Sequence, residues 1–159
     1  MTPEEYLKSH QISYIHHEHP AVFTCEDAER LCVDVPGLAC KNLFLRNKKT
    51  DRFFLLILPA KKRTDLKQFS KIVNESKITF ANAEQLKNIL QLEPGSVSPL
   101  GLINDTNHEV EVYIDQELHK AEIVNFHPNR NTASLEFSRE MFQKFLETLS
   151  NKITIVKTQ

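Results

Sequence analysis

A chain of 159 residues has room for one domain with its own hydrophobic core, and 40% hydrophobic with 26% charged residues excludes a disordered or fibrous protein. No apolar run approaches bilayer-spanning length, and the acidic start Met1-Thr2-Pro3-Glu4-Glu5 lacks the apolar stretch of a secretory signal. The net charge of −1 conceals a strong polarity, because residues 41–77 hold eleven of the twenty Lys and Arg against three acids.

Thr2-Pro3-Glu4-Glu5 reads as a helix start, with Thr2 as cap, Pro3 in the first helical position and Glu5 completing a capping box. That helix should end near Ser9 or His10. Ser13 to His17 suits a short strand stopped by Pro20. His16, His17 and His19 invite a metal reading. However, His16 and His17 would point to opposite faces of a strand, and no acid or cysteine stands at a zinc-like spacing. Thr24-Cys25-Glu26-Asp27 is a second cap, opening a short helix to about Val33. Pro36-Gly37 marks a turn.

Leu38 to Arg46 and Arg52 to Leu58 are apolar enough for two buried strands, joined by a polar turn into a hairpin. Lys41 and Asn42 stand at the mouth of the first. A lysine there either covers apolar surface with its stem while its head reaches water, or serves chemistry. Pro59 closes the second strand and Lys61-Lys62-Arg63 lies in a loop. Thr64-Asp65 opens a helix to about Asn74 with Leu66, Phe69, Ile72 and Val73 on its apolar face. Lys77 to Phe80 is a short strand. Asn82 with Gln85 caps a helix that buries Leu86, Ile89 and Leu90.

Two of the three glycines of the whole chain fall within Glu93 to Leu102. That placement predicts unusual dihedrals or close backbone approach, either in a plain tight loop or in one whose N–H groups face a ligand. Val110 to Ile114 is a strand, Asp115 to Leu118 a turn, and Glu122 to Phe126 a strand. His127 to Thr132 is turn-rich, and Ala133 to Phe137 is again a strand. Ser138 caps a final helix with Met141, Phe142, Phe145, Leu146 and Leu149 inward. Ile153 to Val156 closes the chain as a strand. Without repeats or a linker, residues 1–159 read as one domain. The fold class is α/β in the α+β sense: a curled, mostly antiparallel sheet or barrel with helices around it.

Several chemistries find no support. There is no Walker loop, dinucleotide glycine motif or serine elbow. The odd set Cys25, Cys32 and Cys40, without a Cys-x-x-Cys pair, argues for reduced thiols in a cytoplasmic setting and against a zinc knuckle. Cys40 with His127 could supply a thiol nucleophile, although free cysteines are usually buried small hydrophobes. The basic window is either a solvated face or a phosphate-facing surface.

Three stretches, in order and at matching spacing, carry a resemblance: Lys41-Asn42-Leu43-Phe44-Leu45-Arg46, Gly95-Ser96-Val97-Ser98-Pro99 through Asp105, and Phe126-His127-Pro128 with Asn131-Thr132. They resemble the YbaK/ProX family of prolyl-tRNA synthetase-associated editing domains, over nearly the whole chain, and the Lys-Asn-Leu-Phe-Leu form resembles its free-standing ProX branch. The resemblance implies a deacylase acting in trans on Ala-tRNA(Pro), without metal, cofactor or covalent intermediate. It implies that Lys41 sits near the ester of the charged tRNA end, holding the terminal phosphate or polarising the ester. It gives Asn42 the aminoacyl group or ribose, and His127 a water or the substrate amine. Thr24, Gly95, Ser96, Val97, Ser98 and Pro99 would line the pocket. Arg46, Lys48, Lys49, Lys61, Lys62 and Arg63 would face the tRNA. The expected partner is tRNA(Pro) charged with a small amino acid, with prolyl-tRNA synthetase as a second candidate. A monomer without membrane or DNA partners is expected. A Cys-tRNA(Pro) deacylase and a non-catalytic tRNA-binding or synthetase-binding module stay open as alternatives.

Overall fold

The computed structural model describes residues 2–32 and 34–158, apart from the side chains of Cys25, Ala28 and Glu29. In chain order the elements are α1 (Pro3–Ser9), β1 (Ile15–Glu18), α2 (Cys25–Leu31), β2 (Leu38–Asn47), β3 (Phe53–Pro59), α3 (Leu66–Val73) and β4 (Ile78–Phe80). Then come α4 (Ala83–Leu90), a 3₁₀ helix (Pro99–Asn104), β5 (Val110–Asp115), α5 (Gln116–Lys120), β6 (Ile123–Phe126), β7 (Ala133–Ser138), α6 (Arg139–Glu147) and β8 (Ile153–Val156).

Local capping chemistry starts the helices where the sequence predicts. Thr2 Oγ1 accepts from the Glu5 amide at 3.1 Å and Asp65 from Gln68 at 3.0 Å. Asn82 and Gln85 exchange both bonds of a capping box, and Ser138 accepts from Met141 at 3.2 Å. α3 ends on Asn74 in the left-handed region, φ 57°. α2 ends at Leu31; Val33, the end expected from the sequence, lies outside the described residues.

Two short elements differ from expectation. Asp115 does not open a plain turn: its carboxylate accepts from the Glu117 amide at 2.8 Å and starts the one-turn helix α5. The second half of the glycine-containing stretch closes into the 3₁₀ helix, capped by Ser98 with Pro99 in its first turn. Elements this short contain too few residues to display a periodicity.

β2 is the strand that joins the two halves of the sheet. Its body pairs antiparallel with β3, from Cys40 opposite Pro59 to Arg46 opposite Phe53, and its far end with β4. Its first residues, Leu38 and Ala39, run parallel to Val124 and Asn125 of β6. The strand order is β1-β7-β6-β2-β3-β5-β8, with β4 beside β2. Four of these pairings are antiparallel, as expected; the joins β2 to β6, β3 to β5 and β5 to β8 are parallel. No pairing among the described residues links β1 to β8, so of the two expected forms the open sheet is the one adopted.

Every residue of β3 is buried, because both faces of the strand are covered. Phe53, Leu55 and Ile57 enter a large cluster with Phe44, Leu86, Leu90, Val112, Phe137, Phe142 and Phe145. Phe54, Leu56 and Leu58 enter a second cluster with Leu45, Tyr113, and Phe69 and Val73 of α3. Each such side chain contributes about 1.5–3 kcal/mol on burial. At the start of β2, Gly37 has φ +95°, and a Cβ there would stand 2.5 Å from Ile123 Cγ2 and 2.7 Å from the Ile123 carbonyl oxygen. A bare backbone is what lets β2 dock against β6. Asn125 stitches the same junction, donating from Nδ2 to the Pro36 carbonyl at 3.0 Å.

Candidate functional site

The loop before the 3₁₀ helix meets the end of β6 through one side chain. Ser98 is fully buried; its hydroxyl donates to the His127 carbonyl and accepts from the Leu100 amide at 3.1 Å. The His127 ring sits with Nδ1 2.9 Å from the Ala133 carbonyl. A carbonyl can only accept, so Nδ1 carries the proton and Nε2 presents a lone pair. Burial pulls the His127 pKa below its ordinary 6.5; the Ala133 carbonyl opposes this and nearby His19 reinforces it. The ring is therefore neutral at pH 7. His19 stands with its ring centroid 5.9 Å from that of His127, held through Nδ1 by the Pro20 carbonyl and through Nε2 by the Ser134 hydroxyl, each at 2.9 Å.

Asn42 closes the cluster from β2. Its Nδ2 donates to the Val97 carbonyl at 3.5 Å, next in the chain to Ser98. Its Oδ1 is buried and has no partner. A buried acceptor in that state costs free energy until a donor arrives, so the position suits a ligand N–H or O–H.

Lys41 is not part of that cluster. Successive residues of a strand point to opposite faces, and Lys41 alternates with Leu43 and Leu45, which pack on the α3 side. Its ammonium donates to the Lys62 carbonyl in the loop after β3. The structure thus brings together Asn42, Val97, Ser98 and His127, and places Lys41 on the other side of β2.

Residues 19–145 match the family described as the aminoacyl-tRNA editing domain. The chain belongs to that family. It is 33% identical over 147 residues to the prolyl-tRNA editing protein ProX of Acetoanaerobium sticklandii, covering 92% of this chain and 90% of that one. It is 32% identical over 146 residues to the prolyl-tRNA synthetase associated domain-containing protein 1 of Danio rerio, covering 91% and 79%. A crystal structure of a candidate trans-editing enzyme for prolyl tRNA synthetase superposes with a TM-score of 0.72 at 18% identity, over 98% of this chain and 94% of that one, and shows the common fold.

In this editing domain the other expected pocket residues divide. Gly95 is exposed in a turn at φ +89°, with nothing within 4 Å of where a Cβ would stand. The Ser96 amide bonds the Glu93 carbonyl at 3.0 Å, and Ser96 and Val97 are half-buried. Ser98 and Pro99 are buried and shape the loop from beneath. Thr24 is exposed and spends its hydroxyl oxygen on the Asp27 amide at 3.0 Å, as the cap of α2.

The expected tRNA-facing cations also divide. Lys48, Lys49, Lys61 and Arg63 are exposed. Arg46 is half-buried, with a buried Nε that lacks a partner. Lys62 is a correction. Its side chain is only 18% exposed, and its ammonium lies 2.9 Å from Asp115, 3.2 Å from Glu117 and 2.8 Å from the Thr158 carbonyl. A cation enclosed in this way is not free to meet a phosphate. Burial alone would lower its pKa, but Asp115 and Glu117 outweigh that and raise it.

The remaining candidates are engaged elsewhere. His16 bonds Glu18, and His17 bonds Glu136 at 2.9 Å. Burial pushes the Cys40 thiol far up, which leaves no thiolate at neutral pH. Sequence reasoning did not connect His19 with His127, nor Lys62 with Asp115 and Thr158. Both associations depend on strand pairings between distant segments, and neither has a local signal in the sequence.

Proposed function

We propose that this protein is an aminoacyl-tRNA deacylase that acts in trans, hydrolysing the ester of alanine mischarged onto tRNA(Pro). The observation that carries the reading is the 33% identity, over 92% of the chain, to a prolyl-tRNA editing protein. The geometry around Asn42 and His127 is compatible with the chemistry. An aminoacyl ester brings a cationic amine and ribose hydroxyls, and Asn42 Oδ1 is an acceptor in need of such a donor. Neutral His127 offers the Nε2 lone pair to a water or to the amine.

Lys41 supplies the positive charge. With one N–H kept on the Lys62 carbonyl, its ammonium turns the other two to the terminal phosphate or the ester carbonyl, where it stabilises developing negative charge. Water adds to the ester carbonyl, the acyl–oxygen bond breaks, and the ribose oxygen leaves with a proton. The products are free alanine and tRNA(Pro). Proline is excluded by size, a discrimination worth roughly 1–3 kcal/mol for a methylene or so. The exposed cations Lys48, Lys49, Lys61 and Arg63 hold the tRNA backbone.

The test is deacylation of Ala-, Cys- and Pro-tRNA(Pro). Hydrolysis of the alanyl ester with Pro-tRNA(Pro) left intact is expected. Preference for the cysteinyl ester moves the substrate assignment to the alternative. Binding without any hydrolysis overturns the deacylase reading in favour of a tRNA-binding module.

A further inference from the structure

Lys62 sits beside Lys41 in a way that a simple surface loop does not require. The Asp115 carboxylate is entirely buried, with 0% of its side chain exposed. It takes the Lys62 ammonium and the Thr158 hydroxyl on one oxygen and the Glu117 amide on the other. The Lys62 ammonium also donates to the Thr158 carbonyl. The loop backbone is tied as well: the Lys62 amide donates to the Pro59 carbonyl at 3.0 Å and the Ala60 amide to the Ala39 carbonyl at 2.8 Å. What this assembly holds still is the Lys62 carbonyl, and that carbonyl accepts the Lys41 ammonium. A buried ion pair is weak evidence for added stability, since well-packed apolar residues often serve as well. Its directional bonds do fix a backbone position.

We propose that Lys62 is a positioning residue for the editing reaction: anchored by Asp115 and Thr158, it aims the Lys41 ammonium through its own main-chain carbonyl. One of the three ammonium N–H groups is directed at that carbonyl and two stay available for a phosphate or ester oxygen. The inference rests on the reading of Lys41 as the group that meets the charged tRNA end.

The experiment is a double-mutant cycle on deacylation of Ala-tRNA(Pro). Lys62→Met should lower kcat about ten-fold, the scale of a small misplacement of a catalytic group, with KM changed less than about two-fold. In a Lys41→Ala background the same substitution should change nothing further, because its effect passes through Lys41. An equal loss in both backgrounds overturns the proposal. So does a loss confined to KM that flattens the salt dependence of tRNA binding, which would make Lys62 a phosphate contact. Thr158→Val loosens the anchor without unpairing the buried charges, and should reproduce a smaller kcat loss if Lys62→Met folds poorly. A second readout does not need activity: the rate at which acetic anhydride labels Lys41, followed by mass spectrometry. It should rise about five-fold in Lys62→Met as the held ammonium is released, with Lys77 unchanged. Unchanged labelling of Lys41 overturns the inference even if no charged tRNA is hydrolysed.

Discussion

The Ser98 hydroxyl donates to the main-chain carbonyl of His127, 29 residues further along the chain. The same oxygen accepts the Leu100 amide, so one buried side chain caps the 3₁₀ helix and fastens the loop to the end of β6. Ser98→Ala removes the partner of a part-buried carbonyl and of a buried amide. It should cost about 1–3 kcal/mol of stability, read from urea unfolding. Deacylation should fall with it, because Asn42 bonds the adjacent Val97 carbonyl.

His127 predicts a pH dependence. Its folded pKa is depressed by burial, so between the folded value and 6.5 the unfolded chain binds more protons than the folded one. Its stability contribution is present above pH 6.5 and is lost as pH falls through the folded value. The acid limb of kcat/KM should therefore lie below 6.5 and should disappear in His127→Asn, measured from pH 5 to 8. A limb at or above 6.5 would count against the neutral ring.

Asp115 and Lys62 predict a second one, in stability rather than rate. Burial alone would raise the Asp115 pKa, but the Thr158 hydroxyl and Lys62 outweigh it and hold the carboxyl below the usual 3.8. Its contribution is present above 3.8 and is lost as pH falls through the depressed folded value. Lys62, raised from 10.5, contributes below that value and loses its contribution as pH rises through the folded one. Asp115→Asn should flatten the acid side of a plot of melting temperature against pH.

The two positive-φ glycines should differ. Gly37→Ala forces a Cβ against Ile123 as well as a left-handed backbone, and should cost about 2–4 kcal/mol in urea unfolding. Gly95→Ala carries the backbone term alone, about 1–2 kcal/mol, because the space around it is open.

The basic surface should reveal itself through salt. Replacing Lys48, Lys49, Lys61 and Arg63 by Gln should weaken tRNA binding and flatten log Kd against log salt, by about 0.7–0.9 for each phosphate no longer neutralised. A slope unchanged from the parent protein would remove these residues from the tRNA interface.

The helix starts were legible because a cap bonds an amide two or three residues away. Thr2, Asp65, Asn82 and Ser138 each carry their partner within the same short stretch. The buried hairpin was legible for the same kind of reason: β2 and β3 are consecutive, and the apolar run of β3 has no polar face to offer solvent. The parallel joins were not, since each brings together segments far apart in the chain with no turn between them to announce the pairing.

The residues worth watching at the candidate site are legible along the chain: Lys41 and Asn42 at a strand mouth, a glycine-bearing loop, and His127. The sequence also held one constraint that the expected shared pocket overlooked, since neighbours on a strand face opposite ways. That alternation sends Asn42 to Val97 and Lys41 to the Lys62 carbonyl. Lys61, Lys62 and Arg63 are three consecutive cations that look alike in the chain, and it takes the folded molecule to tell them apart. Asp115 and Thr158 arrive beneath the middle one, from 53 and 96 residues away, and their bonds offset the cost of desolvating that one ammonium while its neighbours stay in water.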